Sequence, residues 1–298
     1  MTTEPPDAAT WEYSAVAYVS IALTLLIATH VYFECTGRMR WHTISWKHVS
    51  ESSRGLSLRC MAIYRLCCFF IVVLTDAMMV LQAEDSPLVS SWMAFATFTV
   101  WSWTLIGFYN LLAAFASIFD AMGIIPANGS VAKVFCCSAW VLFEVLLPVS
   151  CLICLLVWSV LLPLAYQTYG NDSGLLSVPA LAAHNLNFIF MLTETCLNRL
   201  CITSYHLVFM FYYGGLYVIF SWFFFAAYKF FFYFFIDWRY SFVLIGYTGL
   251  LGLLATFFFI GRCIVNCIKP SVYTWELDLQ SSTDCEGTSD SSDVDQFG

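Results

Sequence analysis

The sequence predicts an all-α polytopic membrane bundle, and three observations carry that prediction. Sixty per cent of the 298 residues are hydrophobic and only 11% are charged. A soluble domain runs near half apolar and a quarter charged. Seven apolar runs approach or exceed the ~20 residues that a helix needs to cross a ~30 Å hydrocarbon core. No period-two alternation marks strands, and unpaired backbone is costly in lipid, so the runs read as helices. Mean hydropathy, +0.77, agrees. This composition excludes a disordered chain, a disulfide-stapled secreted domain and a cytosolic enzyme.

The elements follow in order. Residues 1–12 form a short segment before the first run and have no basic n-region, so no cleaved signal peptide is read there. The membrane domain is 13–268. Its runs are Tyr13–Phe33, Cys60–Gln82, Ser91–Phe119, Val134–Leu162, Pro179–Asn198, Tyr205–Tyr228 and Ser241–Val265. The fifth is the weakest, carrying His184, Asn185, Asn187, Glu194 and Asn198. If it does not cross, the spans number six. Loop 34–59 holds Arg38, Arg40, Lys47, Arg54 and Arg59, with Trp41 and Trp46 among them. Such a loop suits the anionic cytoplasmic leaflet. Placing it inside puts nine Lys and Arg on that side and only Lys229 and Arg239 opposite. The N-terminus is then outside and the C-terminus cytoplasmic. Asn171-Asp-Ser173 falls in an outer loop as a glycosylation acceptor.

The formal charge of −8 is local. Ser271–Gly298 has seven acids and no Lys or Arg, while the rest holds 13 acids and 12 bases. Residues 269–298 therefore read as an acidic, disordered cytoplasmic tail with an unknown partner. Nothing suggests nucleic-acid binding. No metal or cofactor is expected: two loop histidines, His42 and His48, make no di-iron box, and Cys151-x-x-Cys154 lacks a second pair. The 13 cysteines read mainly as small apolar core residues.

Polar groups within spans are expensive, so they are the candidate functional residues. Arg65, Asp76, Thr99, Asn110, Glu144, His184, Asn187 and Glu194 fall in this class. At ~1.5 Å per residue, Asp76, Thr99 and His184 fall at similar depth, while Arg65 and Glu194 lie toward the inner side and can pair. Arg65, Glu144 and Glu194 are read as structural. A Thr, a His and an Asp at one depth are the materials of a nucleophile, its base and an orienting group. Equally, the Thr can bond its own backbone while the other two serve as hydrogen-bonding partners.

The second half carries longer patterns. Leu181-Ala-Ala-His184 through Glu194 sets a His ten residues before a Glu. Phe209-Met-Phe-Tyr-Tyr-Gly-Gly-Leu-Tyr-Val-Ile-Phe220 and Phe235-Ile-Asp-Trp238 follow, and Ile63-Tyr-Arg65 and Phe98-Thr-Val-Trp-Ser-Trp103 precede. Over roughly 64–265 the chain resembles the androgen-induced (androgen-dependent) family of multi-span membrane proteins, particularly its rolling-stone-like branch. The resemblance implies an intramembrane threonine hydrolase that cleaves fatty-acid esters of hydroxy fatty acids. It implies His184 as base and Thr99 as nucleophile, with Thr97 and Thr104 close by. Asn187, on the face of His184, and Asn185 are candidate oxyanion donors; Asp76 rests on depth alone. Membrane lipids, including a lipid ester as substrate, are the expected partners, and the plasma membrane or endoplasmic reticulum the expected location.

Two other readings stand. A rolling-stone-like protein can organise membranes or the cell surface without catalysis. A seven-span receptor fits the count, but Ser117-Ile-Phe-Asp-Ala-Met122 lacks an Asp-Arg-Tyr signature.

Overall fold

The structure is a computed structural model, and it describes residues 8–84, 91–124, 129–172 and 174–269. The acidic segment 270–298 lies outside the described residues, as does Ser173. Among the described residues ten α-helices form the bundle: α1 (Ala8–Cys35), α2 (Trp46–Ser50), α3 (Leu58–Glu84), α4 (Phe98–Ala121), α5 (Ser130–Leu156), α6 (Leu162–Tyr169), α7 (Val178–Leu181), α8 (Asn187–Leu197), α9 (Leu207–Tyr228) and α10 (Val243–Ile268). No strand occurs among the described residues. Six helical stretches are long and apolar enough to cross a membrane: Trp11–Cys35, Leu58–Leu81, Phe98–Ala121, Ser130–Tyr169, Ser204–Tyr228 and Val243–Ile268. They fit an integral multi-pass membrane protein.

The boundaries shift for local reasons. Ser91–Ala96 is a 3₁₀ turn, not part of the third long helix. Thr97 then caps α4, its hydroxyl accepting from the Val100 amide, which satisfies an otherwise orphaned N–H. Proline removes an N–H and collides with the carbonyl four residues back. Just before Pro163 the helix widens into a π turn, Val157–Leu161, and continues as α6. Gly170, at φ +73°, ends it in the left-handed conformation that glycine adopts freely.

The fifth sequence run forms one helical rod, α7 and α8 joined by a second π turn, Ala182–Leu186. It is not among the six long apolar stretches. Its polar residues explain why: His184, Asn187, Glu194 and Asn198 are all buried against protein.

Residues 36–57 define one end of the bundle, called here the loop end. Residues 229–242 mark the far end. At the loop end, the backbone N–H of Ser53 donates to the Leu197 carbonyl at 2.7 Å, and Ser52 Oγ donates to the same oxygen at 2.9 Å. The last turn of α8 thus finds partners for its carbonyls 145 residues away. Glu51 pairs with Arg199. Trp41 stacks on His206 and meets Trp140 edge-on, and Trp46 stacks on Phe135. Both loop tryptophans are therefore packed on the bundle, while Arg38, Lys47, Arg54 and Arg59 remain exposed.

The centre is held by packing and by two buried charged pairs. Helix α5 packs on α4, α8, α9 and α10. Gly107 lets α3 and α4 close together, since a Cβ there would sit 2.8 Å from Val72 Cγ1. Arg65 Nη2 lies 2.5 Å from Glu194 Oε1, with both side chains fully buried. The guanidinium also donates to the Val49 carbonyl, the Ala113 carbonyl and Ser117 Oγ. Glu194 also accepts from the Tyr109 hydroxyl at 2.9 Å. These bonds offset the cost of taking both charges out of water. Glu144 pairs with His206 and accepts from the Thr203 amide, while His206 Nε2 meets the Met39 carbonyl at 2.9 Å. Lys269 belongs to the bundle rather than to the tail. It is buried, and its Nζ donates to Asn198 Oδ1 at 2.5 Å and to the Leu200 carbonyl at 2.9 Å.

Candidate functional site: an apolar cavity along α9

A cavity of about 510 Å³ lies among α1, α5, α9 and α10, bounded at the far end by Phe98, Thr99, Tyr233, Phe235 and Ile236. This is within the ~300–1,000 Å³ range of ligand pockets. Its wall on α1 runs from Tyr18 to Phe33. Fifteen residues of helix span about 22 Å, most of a ~30 Å hydrocarbon core. Among the described residues no Asp, Glu, Lys, Arg or His lines it. Its polar groups gather at the two ends. Tyr18, Thr99, Tyr217, Tyr233 and Tyr247 stand toward the far end; Thr29, Ser204 and Tyr205 stand toward the loop end.

Local chemistry explains the walls. Helix α9 is built almost wholly of apolar and aromatic residues, so it presents an oily surface on every side. The far-end phenols are mostly committed to protein. Tyr217 donates to the Ala96 carbonyl at 3.1 Å, Tyr247 donates to the Ile236 carbonyl at 3.1 Å, and Tyr18 shares a bond with Thr248 at 2.9 Å. Their rings are left to face the cavity.

Thr99 opens α4 and is 7% exposed. Its side chain lies beside the Tyr233 phenol. Burial pushes that phenol above its usual range, and the contact with Thr99 pulls partly the other way.

His184 stands elsewhere. It lies on the π turn between α7 and α8, a turn that packs on α3, α4 and α5 and does not line the cavity. One ring nitrogen faces the Leu175 carbonyl, and the buried Nδ1 has no partner in the structure. No hydrogen bond joins Thr99 and His184 among the described residues. Asp76 accepts from Thr104 Oγ1 at 3.1 Å rather than meeting His184. Thr97 is committed as a cap and donates to the Ala94 carbonyl.

The two asparagines differ. Asn185 Oδ1 accepts from Trp158 Nε1 at 2.8 Å, and its amide returns to the Leu181 carbonyl. Asn187 is fully buried, and its Nδ2 has no partner in the structure. Asn171 is exposed after Gly170. No group of three metal-ligating side chains occurs among the described residues.

Sequence reasoning gives no role to Tyr233 or to the diglycine Gly214-Gly215, and reads Glu144 as structural without finding its partner, as in the Glu144–His206 pair. A signal existed for the last: a buried Glu in a span needs a partner. Tyr233 sits outside every apolar run, 134 residues from Thr99, and no local pattern joins them. Compared with family models, curated proteins and solved structures, the chain finds no match in any of the three.

Proposed function

We propose that this multi-pass membrane protein holds a lipid chain inside its helical bundle. One observation carries the reading: a cavity of about 510 Å³ that runs most of a hydrocarbon thickness between uncharged walls. An uncharged wall favours hydrocarbon, because a charged head buried there would lose its hydration without compensation. The excess of Lys and Arg at the loop end supports a cytoplasmic loop end, with the start of α1 opposite. The test is to purify the protein in detergent, load it with an alkyl lipid carrying a chain-borne diazirine, and crosslink. Adducts should map to wall residues such as Leu23, Phe211 and Leu254. Adducts confined to the outer surface of α3 would overturn the reading.

A second reading is lipid-ester hydrolysis, favoured by one observation: Thr99 lies on the cavity wall. In it, Thr99 Oγ1 adds to an ester carbonyl lodged at the far end, His184 would take the hydroxyl proton and return it to the departing alcohol as the acyl C–O bond breaks, and water would then release the acyl group from Thr99. The base must then reach a hydroxyl that here meets Tyr233. Ester turnover by the wild type, kept by Thr99→Ser and lost in both Thr99→Val and His184→Ala, would establish it. Wild-type protein without turnover would leave lipid holding alone.

A further inference from the structure

We infer that Gly214 and Gly215 set the bore of the cavity, and that its ligand is a long, unbranched aliphatic chain threaded past them. The inference rests on the lipid-holding reading above and names the ligand class that reading leaves open.

Two adjacent glycines in the middle of a 22-residue helix are an expensive choice. Glycine is the poorest helix former after proline in a helix interior. Both line the cavity, between Phe211 on one side and Tyr217 and Val218 on the other. They therefore sit at its waist, not at an end. A Cβ added at Gly214 would meet Leu254 Cδ1 at 3.3 Å, and one at Gly215 would meet Leu23 Cδ2 at 3.3 Å. Those leucines, from α10 and α1, are themselves cavity walls. With bare backbone on α9 the leucines reach their places at mid-cavity, and an added Cβ would require each to give by a few tenths of an ångström. Any side chain would either enter the lumen or push a leucine into it.

The shape on either side selects the ligand. Long walls and two ends bearing hydroxyls suit an extended chain whose polar group rests at one end. A branch or fused ring would have to pass between Leu23 and Leu254. The alternative role for the glycines is close helix packing alone, as small residues often serve in membranes. That role predicts a change in stability without a change in chain preference.

The experiment compares wild type, Gly215→Leu, Gly215→Ala and Gly252→Leu in detergent. A Cβ at Gly252 meets nothing within 4 Å, and this glycine is not on the cavity wall, so it controls for glycine replacement in a helix. The probes are straight-chain alcohols graded from short to long, read by native mass spectrometry and by competition with a fluorescent alkyl probe. Wild type and Gly252→Leu should bind long chains best. Gly215→Leu should keep short chains, seated on one side of the waist, and lose long ones by about tenfold or more. Gly215→Ala should fall between, and it remains informative if the leucine variant fails to fold. An unchanged chain-length profile in both Gly215 variants overturns the inference and leaves lipid holding intact. Equal loss of short and long chains also overturns it, in favour of packing. Wild type that binds no chain at all sinks the lipid-holding reading itself.

Discussion

Trp158 and Asn185 join the two π turns of the bundle through a 2.8 Å hydrogen bond from the indole Nε1 to the amide oxygen. One turn interrupts the long rod that begins with α5, and the other interrupts the rod of α7 and α8. Widened turns free backbone groups and are a recurrent mark of functional positions. Here the bond ties one widened turn to the other, next to His184 in the chain.

Replacing Trp158 with Phe keeps a large ring and removes the donor. The loss should be about 1 kcal/mol. It should appear as faster amide exchange across 182–186 in hydrogen–deuterium mass spectrometry, with exchange in α9 unchanged.

The Arg65–Glu194 pair should behave asymmetrically. Glu194→Ala leaves a buried guanidinium without its counter-charge, and such losses run to about 3–5 kcal/mol. The thermal midpoint in detergent should fall steeply. Arg65→Met combined with Glu194→Leu should recover much of that loss, because it removes both charges. A double variant no better than the single one would show that the bonds to Val49, Ala113 and Ser117 matter more than charge balance.

Lys269 gives a pH dependence. Burial lowers its amine from 10.5 to about 7, against a smaller opposing effect of Glu194; Cys196, Cys201 and Arg54 also face it. The folded state then binds fewer protons than the unfolded state between about pH 7 and 10.5. Stability from this residue therefore rises with pH across that window. Melting followed from pH 7 to 10 should show the rise, and Lys269→Met should flatten it.

Gly246→Ala should be severe. A Cβ there would lie 2.2 Å from the Phe235 carbonyl oxygen, and backbone yields little. The Tyr233–Ile236 segment would have to move, and with it the far-end wall of the cavity. The expected cost is about 1–3 kcal/mol, together with weaker labelling by the alkyl diazirine. Gly249→Ala, where a Cβ meets nothing within 4 Å, should be silent in both measurements.

The helices were legible because lipid allows few alternatives: a run of about 20 apolar residues has one economical conformation. The proximity of Arg65 and Glu194 was legible for a related reason, since two opposite charges at one depth have few other partners. Neighbours around the helix axis were not. Residue counting puts Thr99 and His184 at one depth, yet Thr99 stands on the cavity wall with Tyr233, while the turn of His184 packs on α3, α4 and α5 and is not part of that wall. Depth follows from counting residues along one helix. Facing depends on how separate helices rotate against each other, which side-chain packing decides. The cavity was hidden for the same reason, because it is a gap between elements that each look uniformly apolar.

The Arg65–Glu194 pair also has a consequence for synthesis. The partners are 129 residues apart, so at about 5–20 residues per second a translating ribosome needs roughly 6–26 s to supply the second after the first. During that interval the Arg65 guanidinium has no Glu194 to pair with. Biogenesis must shelter it, at the wall of the insertion channel or by holding the second helix back near the surface. Release into the lipid then waits for α8, and a chain truncated before Glu194 should stall at that point.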